Sequence, residues 1–247
     1  MKPNEPTFPP IKNIRNFEKV SSIIKEMIFD GRLRPGDRLP SEQELSRQFE
    51  VGRQTIREAL RILELSGFIC VQQGYGGGSI VKESITAELN SMIIDAFRLS
   101  KISVDEFVSA RLVIEKTILN DALDKINPED IELLRENVEK AKSLLTQKKL
   151  PTAVNVEFHS LLAKASKNSI FIILEGAIQS LHFELLTRSS INLNRSKIAV
   201  KAHEEILDAL INKRRGEAQK LLEDHIKRIK NAYNTLDYRK YNFPVCT

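Results

Sequence analysis

Residues 39–81 read LPSEQELSRQFEVGRQTIREALRILELSGFICVQQGYGGGSIV, and this stretch decides how the N-terminal part folds. Ser41 and Glu44 have the spacing of a capping box, in which hydroxyl and carboxylate each satisfy a free amide of a first helical turn, so a helix is predicted from Ser41. Leu45 and Phe49 share one of its faces, and Val51-Gly52 makes a joint. Beyond the joint, Ile56, Ala59, Leu60 and Leu63 stand at offsets 0, 3, 4 and 7, one apolar stripe of a second helix. Arg53, Arg57 and Arg61 recur every four residues on another side, with Gln54 and Thr55 near the start. Ser66-Gly67 ends this helix. Phe68–Val71 reads as a strand, the glycine run as a turn, and Ser79–Val81 as the returning strand.

This order predicts a helix-turn-helix followed by a two-stranded wing. A helix fits the major groove of duplex DNA, and residues at its N-terminus reach base edges. Arg pairs bidentately with guanine and Gln with adenine, and Arg elsewhere neutralises phosphates. Arginines every four residues are also what a plain solvated helix face carries. The combination of cap, joint, stripe, strand, glycine tip and strand favours the DNA-reading helix.

The run Arg34-Pro35-Gly36-Asp37-Arg38-Leu39-Pro40-Ser41-Glu42, then Val51, Arg53, Thr55, Arg57-Glu58-Ala59-Leu60, Leu63, Gly67 and Gly74, resembles the winged helix-turn-helix of GntR-family bacterial transcription regulators. The resemblance covers roughly Val20 to Val81. It implies DNA contacts by Arg34, Ser41, Gln43, Arg53, Gln54, Thr55 and Arg57, with Gln73 and Gly74 at the wing tip. Two positions depart from the pattern. Gly52 stands where the family has Ser or Thr, a slightly weaker cap. Gln43 stands where the family often has Arg, keeping a polar contact without the charge.

The chain has 247 residues, 41% hydrophobic, with a net charge of +5. Residues 1–82 hold 13 basic and 10 acidic side chains, and the remainder 25 and 23. Neither part is basic enough to coat nucleic acid unspecifically, so any DNA contact is expected to be local. Two cysteines, Cys70 and Cys246, exclude a disulfide framework and fit a reducing cytoplasm. The N-terminus lacks the apolar core of a signal peptide, and no uninterrupted apolar run approaches ~20 residues, so no membrane partner is expected.

Residues 1–11, with four prolines, are expected to be a disordered lead-in. Lys12–Asp30 carries Val20, Ile23, Ile24, Met27 and Ile28 at helical offsets, completing a DNA-binding domain over residues 12–82. Residues 83–88 read as a linker and 238–247 as a tail. Between them, 89–237 shows no strand alternation. Amphipathic helices are predicted over Ile85–Leu99, Val104–Lys125, Pro128–Lys148, Pro151–Ser166, Ile170–Thr187, Arg195–Lys213 and Gly216–Leu236. The expected fold class is therefore mostly α: an N-terminal winged helix-turn-helix plus a C-terminal all-α bundle.

All four histidines lie in this second part. His159 follows Asn155 by one turn. His203 sits in the stripe Ala199, Ile206, Leu210, and His225 in the stripe Ala218, Leu221, Leu222, Ile229. Three imidazoles thus point into one bundle, either as hydrogen-bonded core residues or as ligands of zinc, nickel or a similar ion. His182, near Ile178 and Leu185, reads as core or pocket wall. Arg111 shares a stripe with Val104, Phe107, Val108 and Ile118, and an unpaired buried charge is too costly to persist. It either pairs with Glu115 one turn on or clamps a ligand carboxylate.

An all-helical domain with Asx-x-x-x-His and two later histidines is similar to the FCD effector-binding domain, partner of the winged helix in the FadR-type branch of the GntR family. This resemblance covers about Ala87 to Leu236. It implies a divalent metal on Asn155, His159, His203 and His225. It also implies a small carboxylate effector near Arg111 and Arg188, a homodimer, and a double-stranded operator. Many members have Asp where Asn155 stands, so this site has one negative charge fewer. The expected function is a DNA-binding regulator, a repressor relieved by ligand, not an enzyme. The alternative is a hydrolase that activates water on the His cluster. Glu157 and Glu204 neighbour the ligands in sequence but face elsewhere on their helices, and no HExxH or nucleophile signature occurs.

Overall fold

The computed structural model describes residues 15–72, 74, 77–99, 102–189 and 191–233, so the expected lead-in, the tail and Gln73 lie outside the described residues. The chain divides between Glu88 and Leu89 into two compact units.

The first unit runs α1 (Asn16–Phe29), α2 (Glu42–Gln48), α3 (Arg53–Leu65), β1 (Ile69–Gln72) and β2 (Gly78–Val81). The α3 stripe is the centre of its core: Ile56, Ala59 and Leu63 are fully buried and Leu60 nearly so, against Val20, Ile24, Leu39, Leu45, Ile69 and Val81. Each large side chain in that list contributes roughly 2 kcal/mol by leaving water. Ile23, expected in the same core, is 46% exposed, and Ser21 is buried on α1 instead, its hydroxyl bonded to the Glu18 carbonyl.

The helix ends are set by local chemistry. Ser41 caps α2 by accepting from the Glu44 amide at 3.2 Å, but the reciprocal half of the expected capping box is missing, because the Glu44 carboxylate is taken by Arg47 and Gln48. At the end of α3, Gly67 has φ +77°; its amide and that of Phe68 bond back to Glu64 and Leu63, a Schellman closure. A Cβ at Gly67 would also stand 2.4 Å from the Glu88 carboxylate, which Lys82 holds. The two strands pair antiparallel with Ile69 opposite Val81. A third piece, not expected from the sequence, joins them: Arg38 bridges to Ile80, and its guanidinium bonds the Gly77 carbonyl at 2.8 Å.

Gly52 caps α3 with extended backbone, φ −64° and ψ 150°, offers no side chain to the free amides, and has open space where a Cβ would stand. Gly52→Ser is therefore expected to stabilise the protein by about 0.5 kcal/mol, read as a raised urea midpoint at unchanged slope.

The second unit follows α4 (Thr86–Leu99), which begins inside the expected linker, with α5 (Val104–Lys125), α6 (Pro128–Thr146), α7 (Thr152–Ala165), α8 (Ser169–Arg188), α9 (Leu193–Ile211) and α10 (Arg215–Tyr233). Capping boxes Ser103–Glu106 and Asn127–Asp130 start α5 and α6. α7 packs against α5, α6, α8 and α9, and α10 closes on α5 and α9. α8 is long and apolar enough to cross a membrane by length and composition, yet it buries Glu175, Gln179 and His182 inward.

Candidate metal centre and nucleic-acid interface

Asn155 and His159 lie one turn apart on α7, and their side chains are buried together with His203 of α9 and His225 of α10. The Nε2 atoms of His203 and His225 are 3.2 Å apart, and those of His225 and His159 are 3.3 Å apart. Four nitrogens placed tetrahedrally at a zinc–nitrogen distance of ~2.0–2.1 Å are about 3.3–3.4 Å from one another. These two spacings are thus those that one ion requires, and all three ligand nitrogens lie within 4.8 Å of one another. The Asn155 Oδ1 is buried without a hydrogen-bond partner, a cost that a ligand removes. Three imidazole nitrogens and an amide oxygen suit zinc or nickel, so these residues fit the group.

The rings are held from behind. His159 Nδ1 lies 2.7 Å from Glu115 Oε2 without an aligned hydrogen bond, and the Arg111 guanidinium, which only donates, meets Nε2 at 3.4 Å, so Nε2 is the accepting nitrogen. His203 stacks flat on Phe158 with centroids 4.2 Å apart. Burial, then the neighbouring histidines and Arg111, push His203 and His225 well below the usual imidazole range, with Glu115 opposing at His225, so both rings are neutral and competent as donors. Burial also lowers His159, while Glu115 opposes it.

Glu115 belongs to a buried network that the sequence reading saw only in part. Arg111, with no exposed surface, pairs through Nε with Glu115 and donates to the Tyr233 hydroxyl at 3.3 Å, and its Nη2 is 3.4 Å from His159 Nε2. Gln179 donates to Glu115 at 3.2 Å and also to Glu175, and His182 meets the Tyr233 hydroxyl. Burial raises the Glu115 carboxyl, but Arg111 and His159 outweigh it and hold the group at about 2. Burial and the Glu115 charge lift Glu175 well above the carboxylate range.

A cavity of about 340 Å³ opens over the cluster, lined by Asn155, His159, His182, His203 and His225 at its polar end. Leu186, Ile191, Ile198, Ala199, Ala202 and Ile229 make its apolar walls, and Thr152, Ser196, Arg195 and Arg228 complete it. Neither arginine expected at a ligand lines this cavity: Arg111 is buried against His159, and Arg188 pairs with Glu184 at 2.8 Å. Arg195 and Arg228 were missed. The available signal was Arg228 standing three residues, one helical turn, after His225. Glu157 bonds Asn137 and Glu204 bonds Lys142, so neither carboxylate next to a ligand in sequence is committed to the cluster.

In the first unit, α3 buries its stripe and exposes Arg53, Gln54, Arg57 and Arg61, with Thr55 half-buried. Arg57 Nε pairs with Glu42 Oε2 at 2.8 Å, both partly exposed, and Gln54 donates to Glu58 at 3.2 Å. Arg34, Ser41 and Gln43 are exposed on the segment that leads into and begins α2, and Gly74 is exposed at the wing tip with φ +105°.

Residues 16–77 match the family of bacterial regulatory proteins, gntR family, and residues 106–228 match the FCD domain. The chain is 27% identical over 223 residues to the Uxu operon regulator of Haemophilus influenzae, covering 87% of this chain and 81% of that protein. It is 26% identical over 237 residues to the HTH-type transcriptional repressor NanR of Cronobacter sakazakii, covering 94% and 90%. The solved structure of a Streptococcus agalactiae GntR superposes with a TM-score of 0.66 at 27% identity, over 87% of this chain and 99% of that one.

Proposed function

Because the chain belongs to the GntR family of bacterial regulatory proteins and carries an FCD domain, we propose that it is an operator-binding repressor controlled by a small carboxylate held beside a metal ion. The observation that carries the ligand side is the meeting of three imidazole Nε2 atoms in the lining of a cavity that also holds Asn155, whose buried amide oxygen has no hydrogen-bond partner. Asn155, His159, His203 and His225 would hold the ion, which would act as a Lewis acid that anchors a carboxylate oxygen. Glu115 orients His159 for that task, and the apolar walls select the body of the ligand. Allostery then requires the effector to favour one of two arrangements of the protein. A homodimer on a near-palindromic operator gives two recognition helices one DNA turn apart. The repressor sign follows the NanR relative, whose name carries it.

The DNA side is carried by the exposed arginine face of α3. Arg57 is presented at the helix surface and is positioned by a solvent-screened pair with Glu42, which contributes little and exchanges readily for a phosphate or a guanine edge. Arg57→Ala is expected to weaken operator binding by about ten- to a hundredfold, the range for loss of one good base contact, while ligand affinity stays near normal. The measurement is fluorescence anisotropy on DNA selected from genomic fragments by the full-length protein. Undiminished binding by the variant would overturn the assignment of α3 as the reading helix.

A further inference from the structure

The donors around the candidate metal position are all uncharged: three neutral imidazoles and the Asn155 amide. On the Nε2 side of His159, where the ion would sit, stands a positive charge: Arg111 Nη2 approaches Nε2 at 3.4 Å. Its balancing carboxylate, Glu115, lies on the Nδ1 side of the His159 ring and is spent on that ring and on Arg111. Arg195 and Arg228, both exposed, add cationic side chains to the solvent side of the cavity lining. A divalent ion entering this site brings two positive charges into a buried place with no anionic donor, and burying uncompensated charge is expensive.

On the reading of this cluster as a metal centre, we infer that Asn155 makes metal retention depend on a co-bound anion: cation and carboxylate bind with positive coupling, each raising the affinity of the other. An anion in the cavity would complete the coordination, offset the ion's charge and meet the cationic wall. Coupling of this kind is reciprocal by thermodynamic necessity. The anion is a small carboxylate with a short aliphatic body, because Leu186, Ile191, Ile198 and Ile229 line the same cavity. At ~30 Å³ for each water displaced, the 340 Å³ cavity admits a molecule of roughly ten non-hydrogen atoms.

The test measures cobalt(II) affinity of the full-length protein by its visible absorption, in perchlorate medium containing either acetate or its neutral isostere acetamide. Acetate is expected to tighten cobalt binding by about tenfold or more over acetamide, within the usual range of coupling. Acetate's own weak hold on the ion in solution works against this rise, so a rise reports the site. In Asn155→Asp, which places the missing charge among the donors, cobalt affinity in acetamide is expected to exceed that of the unchanged protein, and the acetate gain to shrink below about threefold. Equal affinities in acetate and acetamide for the unchanged protein would overturn the coupling and leave the metal centre standing. An undiminished acetate gain in Asn155→Asp would overturn the role of Asn155. Absence of cobalt uptake in both media, or uptake unaltered in His203→Ala, would overturn the metal centre itself and the coupling with it.

Discussion

Removal of the His203 imidazole by an Ala substitution is expected to lower affinity for zinc or nickel by about a hundredfold or more. Loss of a residue that only orients a ligand already costs ten- to a hundredfold, and His203 is a direct donor in the candidate set, 3.2 Å from its nearest fellow. Without it, two imidazoles and an amide oxygen remain, too few to hold a structural or Lewis-acid ion firmly. The ligand response of operator binding is expected to vanish with the metal. His203 also stacks on Phe158 and is 2% exposed, so the substitution leaves a cavity that lowers stability by itself. Far-UV circular dichroism and thermal melting of the metal-free variant separate the two effects. A folded variant that keeps metal stoichiometry and affinity would remove His203 from the centre.

The fold was legible where a period repeats over several turns. The α3 stripe of Ile56, Ala59, Leu60 and Leu63 is buried as read, because only one face of a helix can meet the core and those offsets define it. All seven helices of the second part were anticipated, with ends that coincide or differ by one or two residues among the described residues, since the choice of terminal residue depends on which side chain captures a free amide. Glu44 illustrates the limit: its spacing from Ser41 is that of a capping box, but Arg47 one turn on competes for the same carboxylate and wins. The Arg38–Ile80 bridge involves a single residue and leaves no periodic trace.

The site was legible as directions and not as partnerships. Helical offsets showed that Asn155, His159, His203 and His225 face inward, and the structure brings the three imidazoles together. Offsets on separate helices carry no information about which atoms meet, so the Arg111–Tyr233 bond, between residues 122 positions apart, was out of reach. Some of the network was nonetheless readable. Glu175, Gln179 and His182 stand at offsets 0, 4 and 7 on a helix that is mostly apolar as far as Phe183, which marks a polar stripe that must be satisfied inside. The two readings of Arg111 resolve differently in kind: its pairing with Glu115 is what the structure contains, and a role toward ligand would be exerted through His159.

That pairing sets the largest stability effect expected of any single substitution in the bundle. In Arg111→Leu the Glu115 carboxylate, 3% exposed, keeps His159 and Gln179 as neighbours but loses its only full counter-charge among them, and Glu175 next to it gains none. Removing one partner of a buried pair typically costs about 3–5 kcal/mol, because the survivor stays desolvated and unanswered. Arg111→Leu is therefore expected to unfold at a much lower urea concentration, and Glu115→Leu to do likewise for the mirror reason, stranding a guanidinium with no exposed surface. The decisive measurement is the double variant. If the singles are costly because of stranded charge, removing both charges restores much of the loss, and the double variant is more stable than either single, a coupling far outside additivity. If the singles are costly because the site requires the shapes of these side chains, the losses add and the double variant is the least stable of the three. The second result would mean that Arg111 and Glu115 are held in the core by packing, and that the charge pair behind His159 is not what orients the ring.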